Sequence, residues 1–269
     1  MSEQPYGKGY GNDPARNYER YFVPAIGAPV AADFVAMADL SPDDRVLDVG
    51  CGTGIVTRLA AERAAKVTGV DINPAMLEVA RETAPAGAAI DWHQSSAESL
   101  PLPDEGYDVV LCQMSMQFFP DKAAAVKEMK RVLVPGGRLA LNVPGSMSQA
   151  FEVIDAAIGR HLGPEASGFV QAVFSLHEAD ELRGLLAGEG FADVNVTTKT
   201  VALAVPAPRE FLWQYVHSTP IMVAASQADD EHLAALEREV VKGCEPFVRD
   251  GGMTIAQEVL VATARKPSS

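Results

Sequence analysis

Val46-Leu47-Asp48-Val49-Gly50-Cys51-Gly52-Thr53-Gly54 is the stretch whose reading decides the fold. An apolar run of strand character passes into three alternate glycines. It continues into Ile55, Val56, Leu59 and Ala60, which share one helix face at spacings of three and four. Glycines admit positive φ and let a ligand touch the backbone, and the helix start offers unpaired N–H groups. In a doubly wound sheet this is the first crossover, at the strand carboxyl ends where ligands bind. Spacing then separates the ligands. The dinucleotide fingerprint Gly-x-Gly-x-x-Gly would place its third glycine where Ile55 stands, and no Gly-Lys-Ser/Thr follows to make a phosphate loop. Asp71 comes 21 residues after Gly50, ending a second apolar run, where a carboxylate can accept from both ribose hydroxyls. The site suits an adenosine-like ribose without a pyrophosphate.

Outward from this loop, short apolar runs at 46–49, 67–70, 107–112 and 139–143 alternate with helical patterns. Pro74 opens one helix at a tolerated first-turn position, and Val126, Met129 and Leu133 mark another, ended by Pro135-Gly136-Gly137. Such alternation implies parallel strands joined by right-handed crossovers, the α/β class with a doubly wound, mostly parallel sheet. Two stretches, 144–176 and 206–252, break the alternation; the second is too long for a hairpin turn and carries an amphipathic helix over Leu233, Leu236 and Val240. The expected organisation is an N-terminal helical cap (1–40), an α/β core (41–143), an insertion (144–176), the rest of the core sheet (177–205 and 253–269) and a helical lid (206–252).

Composition narrows the partners. Of 269 residues, 48% are hydrophobic and 22% charged, as in ordinary globular proteins. Twenty-two Lys and Arg against 36 Asp and Glu leave a net charge of −14, which disfavours a nucleic-acid or anionic-membrane partner. No apolar run approaches the ~18 residues of a membrane span, and residues 1–12 lack the hydrophobic stretch of a secretory signal. Cys51, Cys112 and Cys244 are odd in number and far apart, with no CxxC pair, so neither disulfides nor a zinc site is indicated. The expectation is a cytoplasmic protein, without membrane insertion, acting on a small molecule.

The run 48–54, followed by Val70-Asp71-Ile72-Asn73-Pro74-Ala75-Met76, resembles the class I S-adenosylmethionine-dependent methyltransferases. Ala97-Glu98-Ser99-Leu100-Pro101-Leu102-Pro103-Asp104, Tyr107-Asp108-Val109-Val110, Gln117-Phe118-Phe119-Pro120-Asp121 and the run 128–137 are similar to later segments of that family. The nearer likeness is to its small-molecule branch, which includes ubiquinone/menaquinone-biosynthesis enzymes. It covers residues 18–143 well and the remainder in outline. The resemblance implies a seven-stranded Rossmann-like sheet with an inserted helical lid, and S-adenosylmethionine as cofactor, leaving as S-adenosylhomocysteine. It also implies roles: Gly50, Cys51 and Gly52 would let backbone approach the methionine and ribose, and Asp48 would lie near the cofactor's amino group. Asp71 would hold the ribose hydroxyls, with Ile72 and Met76 against the adenine. Ser96 and Ala97 would read the adenine edge, and Gln113 would line the methionine end. Many relatives carry Asp where Ser96 stands; Ser still accepts a hydrogen bond, without charge.

Chemistry at the acceptor is less marked. Of His93, His161, His177, His217 and His232, none forms a diagnostic pair. His217, beside Trp213 and Tyr215, is the candidate base should the acceptor be a weak acid. Rings gather outside the motifs: Tyr6, Tyr10, Tyr18, Tyr21 and Phe22 before the first strand, Phe169 and Phe174 in the insertion, and Phe211, Trp213 and Tyr215 opening the lid. Tyr18, Met116, Phe174, Trp213 and Tyr215 are the candidate substrate residues, and Tyr21 is expected beside the cofactor's reactive end. Trp213 and Tyr215 would share a face on a strand and diverge on a helix. The rings favour a hydrophobic or aromatic acceptor. The function read is methyl transfer by direct in-line displacement without a metal; the alternative is a methyltransferase-fold cyclase or a cofactor-binding protein that transfers no methyl group.

Overall fold

The computed structural model describes residues 10–268; Met1–Gly9, Tyr6 among them, and Ser269 lie outside the described residues. Eight strands run in chain order: β1 (Arg45–Val49), β2 (Lys66–Asp71), β3 (Ile90–Gln94), β4 (Tyr107–Gln113), β5 (Leu133–Pro144), β6 (Ala192–Val205), β7 (Val248–Arg249) and β8 (Gly252–Arg265). Their order is β3-β2-β1-β4-β5-β8-β6, with β7 paired to β8. β1 is parallel to β2 and β4, β3 to β2, and β5 to β4, while β8 runs antiparallel to β5. The order reverses between β1 and β4. Ligands bind beyond the strand carboxyl ends at such a switch point.

The chain divides into two compact units. The sheet unit comprises Val30–Gly145, Leu176–Lys199 and Val259–Ser269. Its core is an apolar layer in which Leu47, Val110, Cys112, Met129, Leu141 and Leu182 are all closed to solvent. The central strands read as near-continuous hydrophobic runs because helices cover both faces of a parallel sheet. Local signals start the helices: Asn73 caps Pro74–Thr83 by accepting the Ala75 N–H at 3.0 Å, and Asp121 caps Lys122–Val132 through the Ala124 N–H. At the amino ends of the strands, Arg45 grips Asp108 through Nε (2.9 Å) and Nη2 (3.1 Å), pinning β1 to β4. That guanidinium holds the Asp108 carboxyl below the usual range.

The second unit gathers Met1–Pro29, Ser146–Ser175 and Thr200–Glu258. Segments that the sequence separates as cap, insertion and lid thus fall into one body, while the helix Ala28–Met37 passes mostly to the sheet unit. Helix Gln149–Leu162 packs on Pro164–Val173 and on Asp230–Gly243. Phe151 is the hub of its interior, with ring centroids 5.3 Å from Phe174, 5.8 Å from Tyr215 and 6.2 Å from Phe211. Among the described residues, no helix is long and apolar enough to cross a membrane.

Candidate functional site

The glycine loop leaving β1 is tied to the end of β2. The N–H groups of Gly50 and Cys51 both donate to the Val70 carbonyl, at 2.8 and 3.0 Å, which turns the chain sharply over the strand ends. Gly50 has φ +70°, and a Cβ there would stand 2.6 Å from the Ser115 Cβ. Gly54, with φ +88°, starts the helix Ile55–Ala61, and a Cβ on it would stand 2.6 Å from the Trp92 ring. The two outer glycines therefore serve close packing. A Cβ on Gly52 would meet nothing within 4 Å. Only the middle glycine faces open space, as a surface that receives a ligand requires.

Asp71 sits at the β2 tip. Its Oδ2 accepts the Gly52 N–H and its Oδ1 the Asn73 N–H, both at 2.8 Å, so the carboxylate is aimed by backbone on two sides. Burial raises its pKa, opposed by these backbone donors. Beside it Ile72 is 67% exposed, one of few large apolar side chains so open, and Met76 is half-buried in the next helix. Asp48 lies beneath the loop, buried, its Oδ2 accepting from Thr57 Oγ1 at 2.6 Å. Burial pushes its pKa up to about 7, with the nearby Asp71 charge adding to the rise and the Thr57 hydroxyl opposing it. The Cys51 and Cys112 thiols are buried and their pKa values raised by burial, so both behave as packing groups.

The segment after β3 is stapled from below. Arg131 holds both oxygens of Glu128 at 2.7 Å, Asp104 at 2.6 Å, and the carbonyls of Leu100 and Leu102 at 3.0 and 2.8 Å; Glu128 in turn accepts the Leu100 N–H. That network fixes the loop carrying half-buried Ser96, whose hydroxyl bonds Glu98, and buried Ala97. Gln113 ends β4 opposite Asn142. Gly50, Cys51, Gly52, Asp71, Ile72, Ser96, Ala97 and Gln113 all lie at the carboxyl ends of β1 to β4 or in the loops leaving them, so the sheet brings together what the motifs set apart. Ser115, Asn142, Glu128 and Arg131 brace this region, yet no glycine or acidic signal at the first two positions marks them in the sequence.

One expectation changes, and one open alternative is decided. Met116, expected against the substrate, is fully buried in the sheet-unit core, because it begins a 3-10 turn that folds it inward. Trp213 and Tyr215 lie on one helix, Pro208–His217, and so diverge. Tyr215 stacks on Phe211 four residues back, at 6.0 Å, while the Trp213 Nε1–H donates to Glu237 at 2.7 Å.

The remaining ring and base candidates belong to the second unit. Tyr18 stacks on Phe22 at 4.6 Å, and Phe22 lies 6.4 Å from Tyr215. Tyr21 meets Tyr10 edge-on at 5.1 Å, with the Arg20 guanidinium over its ring. His217 stacks on Tyr10 at 5.5 Å, and its backbone carbonyl accepts from Asn17. Its ring bonds the Gly11 backbone while Nδ1 is buried without a partner. Burial lowers its pKa, which keeps the imidazole neutral at pH 7.

An open middle glycine, a backbone-aimed carboxylate and an exposed apolar neighbour at the switch point fit an adenosyl group with no pyrophosphate. Together they form a candidate nucleoside site at the carboxyl ends of the strands. Comparison with known proteins agrees. A methyltransferase-domain family matches residues 47–141. A ubiquinone/menaquinone biosynthesis C-methyltransferase, UbiE, from Xanthomonas campestris is 32% identical over 59% of this chain and 70% of its own length. An uncharacterised protein of Mycobacterium tuberculosis is 29% identical over 90% of this chain and 88% of its own. Among solved structures, the YcgJ protein from Bacillus subtilis superposes with a TM-score of 0.61 at 20% identity, covering 89% of this chain and 98% of YcgJ. The chain belongs to the class I S-adenosylmethionine-dependent methyltransferases. It is an enzyme of that family, and S-adenosylmethionine is its methyl donor.

Proposed function

We propose that this methyltransferase acts on a small hydrophobic or aromatic molecule by direct in-line displacement. The observation that carries the reading is the ring cluster of the second unit, Tyr18, Phe22, Phe151, Phe174, Phe211 and Tyr215. Phe151, Phe174, Phe211 and Tyr215 are buried against one another, and apolar material of this kind supports a planar apolar acceptor over a polyanion. S-adenosylmethionine supplies, when bound, a methyl group already activated on a sulfonium. The protein's own work is alignment and exclusion of water, and orientation alone supplies on the order of 7–11 kcal/mol. In this reading Asp71 holds the ribose hydroxyls, and Ile72 and Met76 pack on the adenine. Ser96 and Ala97 read the adenine edge. Gly50 to Gly52 and Gln113 receive the methionine part, and Asp48 neutralises its ammonium.

His217 is the proposed base for an acidic acceptor. With its other nitrogen engaged at Gly11, the neutral ring leaves Nδ1 as the lone-pair nitrogen, ready to take a proton. The test is incubation with S-adenosylmethionine and a panel of phenols and hydroquinones, read by product mass. One added methylene unit supports the proposal; unchanged mass with altered structure would indicate cyclisation. With an accepted phenol, His217→Ala should lower turnover by about 10²–10⁴ and leave S-adenosylhomocysteine affinity unchanged. A twofold loss would make His217 a packing residue.

A further inference from the structure

The turn after β4 is restrained beyond what its length requires. Met114 has φ +51°, in the left-handed region. Five non-glycine residues share a positive φ among the described residues; three are aspartates, whose short polar side chains tolerate it, and Met114 is the apolar exception. A conformation that Met does not favour is imposed from outside. The backbone carbonyl of Asn142 and its Oδ1 both accept the Met114 N–H, at 2.9 and 3.1 Å, and Gln117 Nε2 donates to the Met114 carbonyl at 2.9 Å. Ser115 Oγ then lies 2.8 Å from the Gly50 carbonyl and 2.9 Å from that of Gln113.

Asn142 is out of place for stability. It is fully buried in a strand that is otherwise apolar from Leu139 to Val143, and its Nδ2 has no partner. A buried amide half-satisfied in this way is worse for folding than an apolar side chain. Strained, over-determined backbone of this kind collects where a site must be held in shape.

We infer that Asn142, acting through Met114, and Ser115 are positioning residues for S-adenosylmethionine: they lock the turn 113–117 against Gly50, fixing the wall that receives the methionine end. The inference rests on the reading of Gly50 and Gln113 as cofactor neighbours. Its test is calorimetric titration of the full chain with S-adenosylhomocysteine, alongside thermal unfolding. Asn142→Leu should bind about tenfold more weakly while unfolding at an unchanged or higher temperature. Adding Met114→Gly, which takes the left-handed conformation freely, should bring the double variant to within about threefold of Met114→Gly alone. Asp71→Ala serves as the control and should weaken binding by roughly ten- to a hundredfold. Wild-type affinity in Asn142→Leu, with Asp71→Ala weakened, overturns the clamp and leaves the cofactor site standing. Wild-type affinity in both removes the cofactor reading itself. Should Asn142→Leu not fold, Ser115→Ala decides: weaker binding supports the clamp, and unchanged binding overturns it.

Discussion

Between Val46 and Asp71 the surface of the candidate site is made of backbone. Glycines admit the turn, N–H groups of Gly52 and Asn73 aim one carboxylate, and the side chains beneath are small or buried. In the second unit the material is rings: Phe151 touches three other aromatics, and the polar atoms at Trp213 and Gln214 are tied to Glu237 and Glu210. A backbone site fails by geometry, when one methyl group stops the chain from turning. A ring cluster fails by volume, when a cavity replaces a side chain. The two regions should therefore lose different things on mutation.

The sharpest way to break this contrast is Gly50→Ala. The added Cβ meets Ser115 at 2.6 Å, and φ +70° disfavours any L-residue. The loop must move, so S-adenosylhomocysteine affinity should fall by more than about a hundredfold. Urea unfolding should show a smaller change, because the loop is a small part of the buried surface. Intact binding with lost stability would mean that Gly50 serves the core.

Phe151→Ala should do the reverse. Phe151 is buried at the centre of its cluster, and such truncations cost about 3–5 kcal/mol. The two tryptophans, Trp92 in the sheet unit and Trp213 in the other, give local signals during denaturation. The loss should appear in the Trp213 signal, with S-adenosylhomocysteine affinity in the folded protein unchanged. A large fall in that affinity would show that the rings also shape the cofactor surface.

The same difference in material explains what could be read from the chain. Glycine spacing, the distance to Asp71 and the alternation of strands and helices are local signals, and they carry the sheet and the class of ligand. The hydrogen bonds around Met114 leave no local signal, because Asn142 lies 28 positions from Met114 and meets it only through the β4/β5 register. Met116 is ambiguous for a related reason: a methionine at a strand tip reads alike whether the following turn points it to a ligand or, as here, into the core. Trp213 and Tyr215 depended on the period of their segment, which two residues do not set. The grouping of residues 1–29, 146–175 and 200–258 follows from long-range helix packing, which leaves little periodic trace.

The smallest expected effect lies beneath the loop and is read by pH. Asp48 has its pKa pushed to about 7 by burial, against about 4 in an unfolded chain. Between those values the folded protein holds a proton that the unfolded chain has lost. Folding stability therefore falls as pH rises through that window and levels off above it. Asp48→Asn keeps an acceptor for Thr57 Oγ1 but cannot ionise. Wild type should thus lose roughly 1–3 kcal/mol relative to Asp48→Asn between pH 4 and pH 8, measured by urea denaturation at each pH. Ligand binding should run the other way: an ammonium near Asp48 favours its ionised form, so S-adenosylhomocysteine affinity should rise from pH 5.5 to 7.5 in wild type. In Asp48→Asn that slope should vanish. A stability difference independent of pH would show that Asp48 titrates normally beneath the loop. A binding slope retained in Asp48→Asn would move the pH dependence to Asp71, whose pKa burial also raises, and so from the floor of the site to its rim.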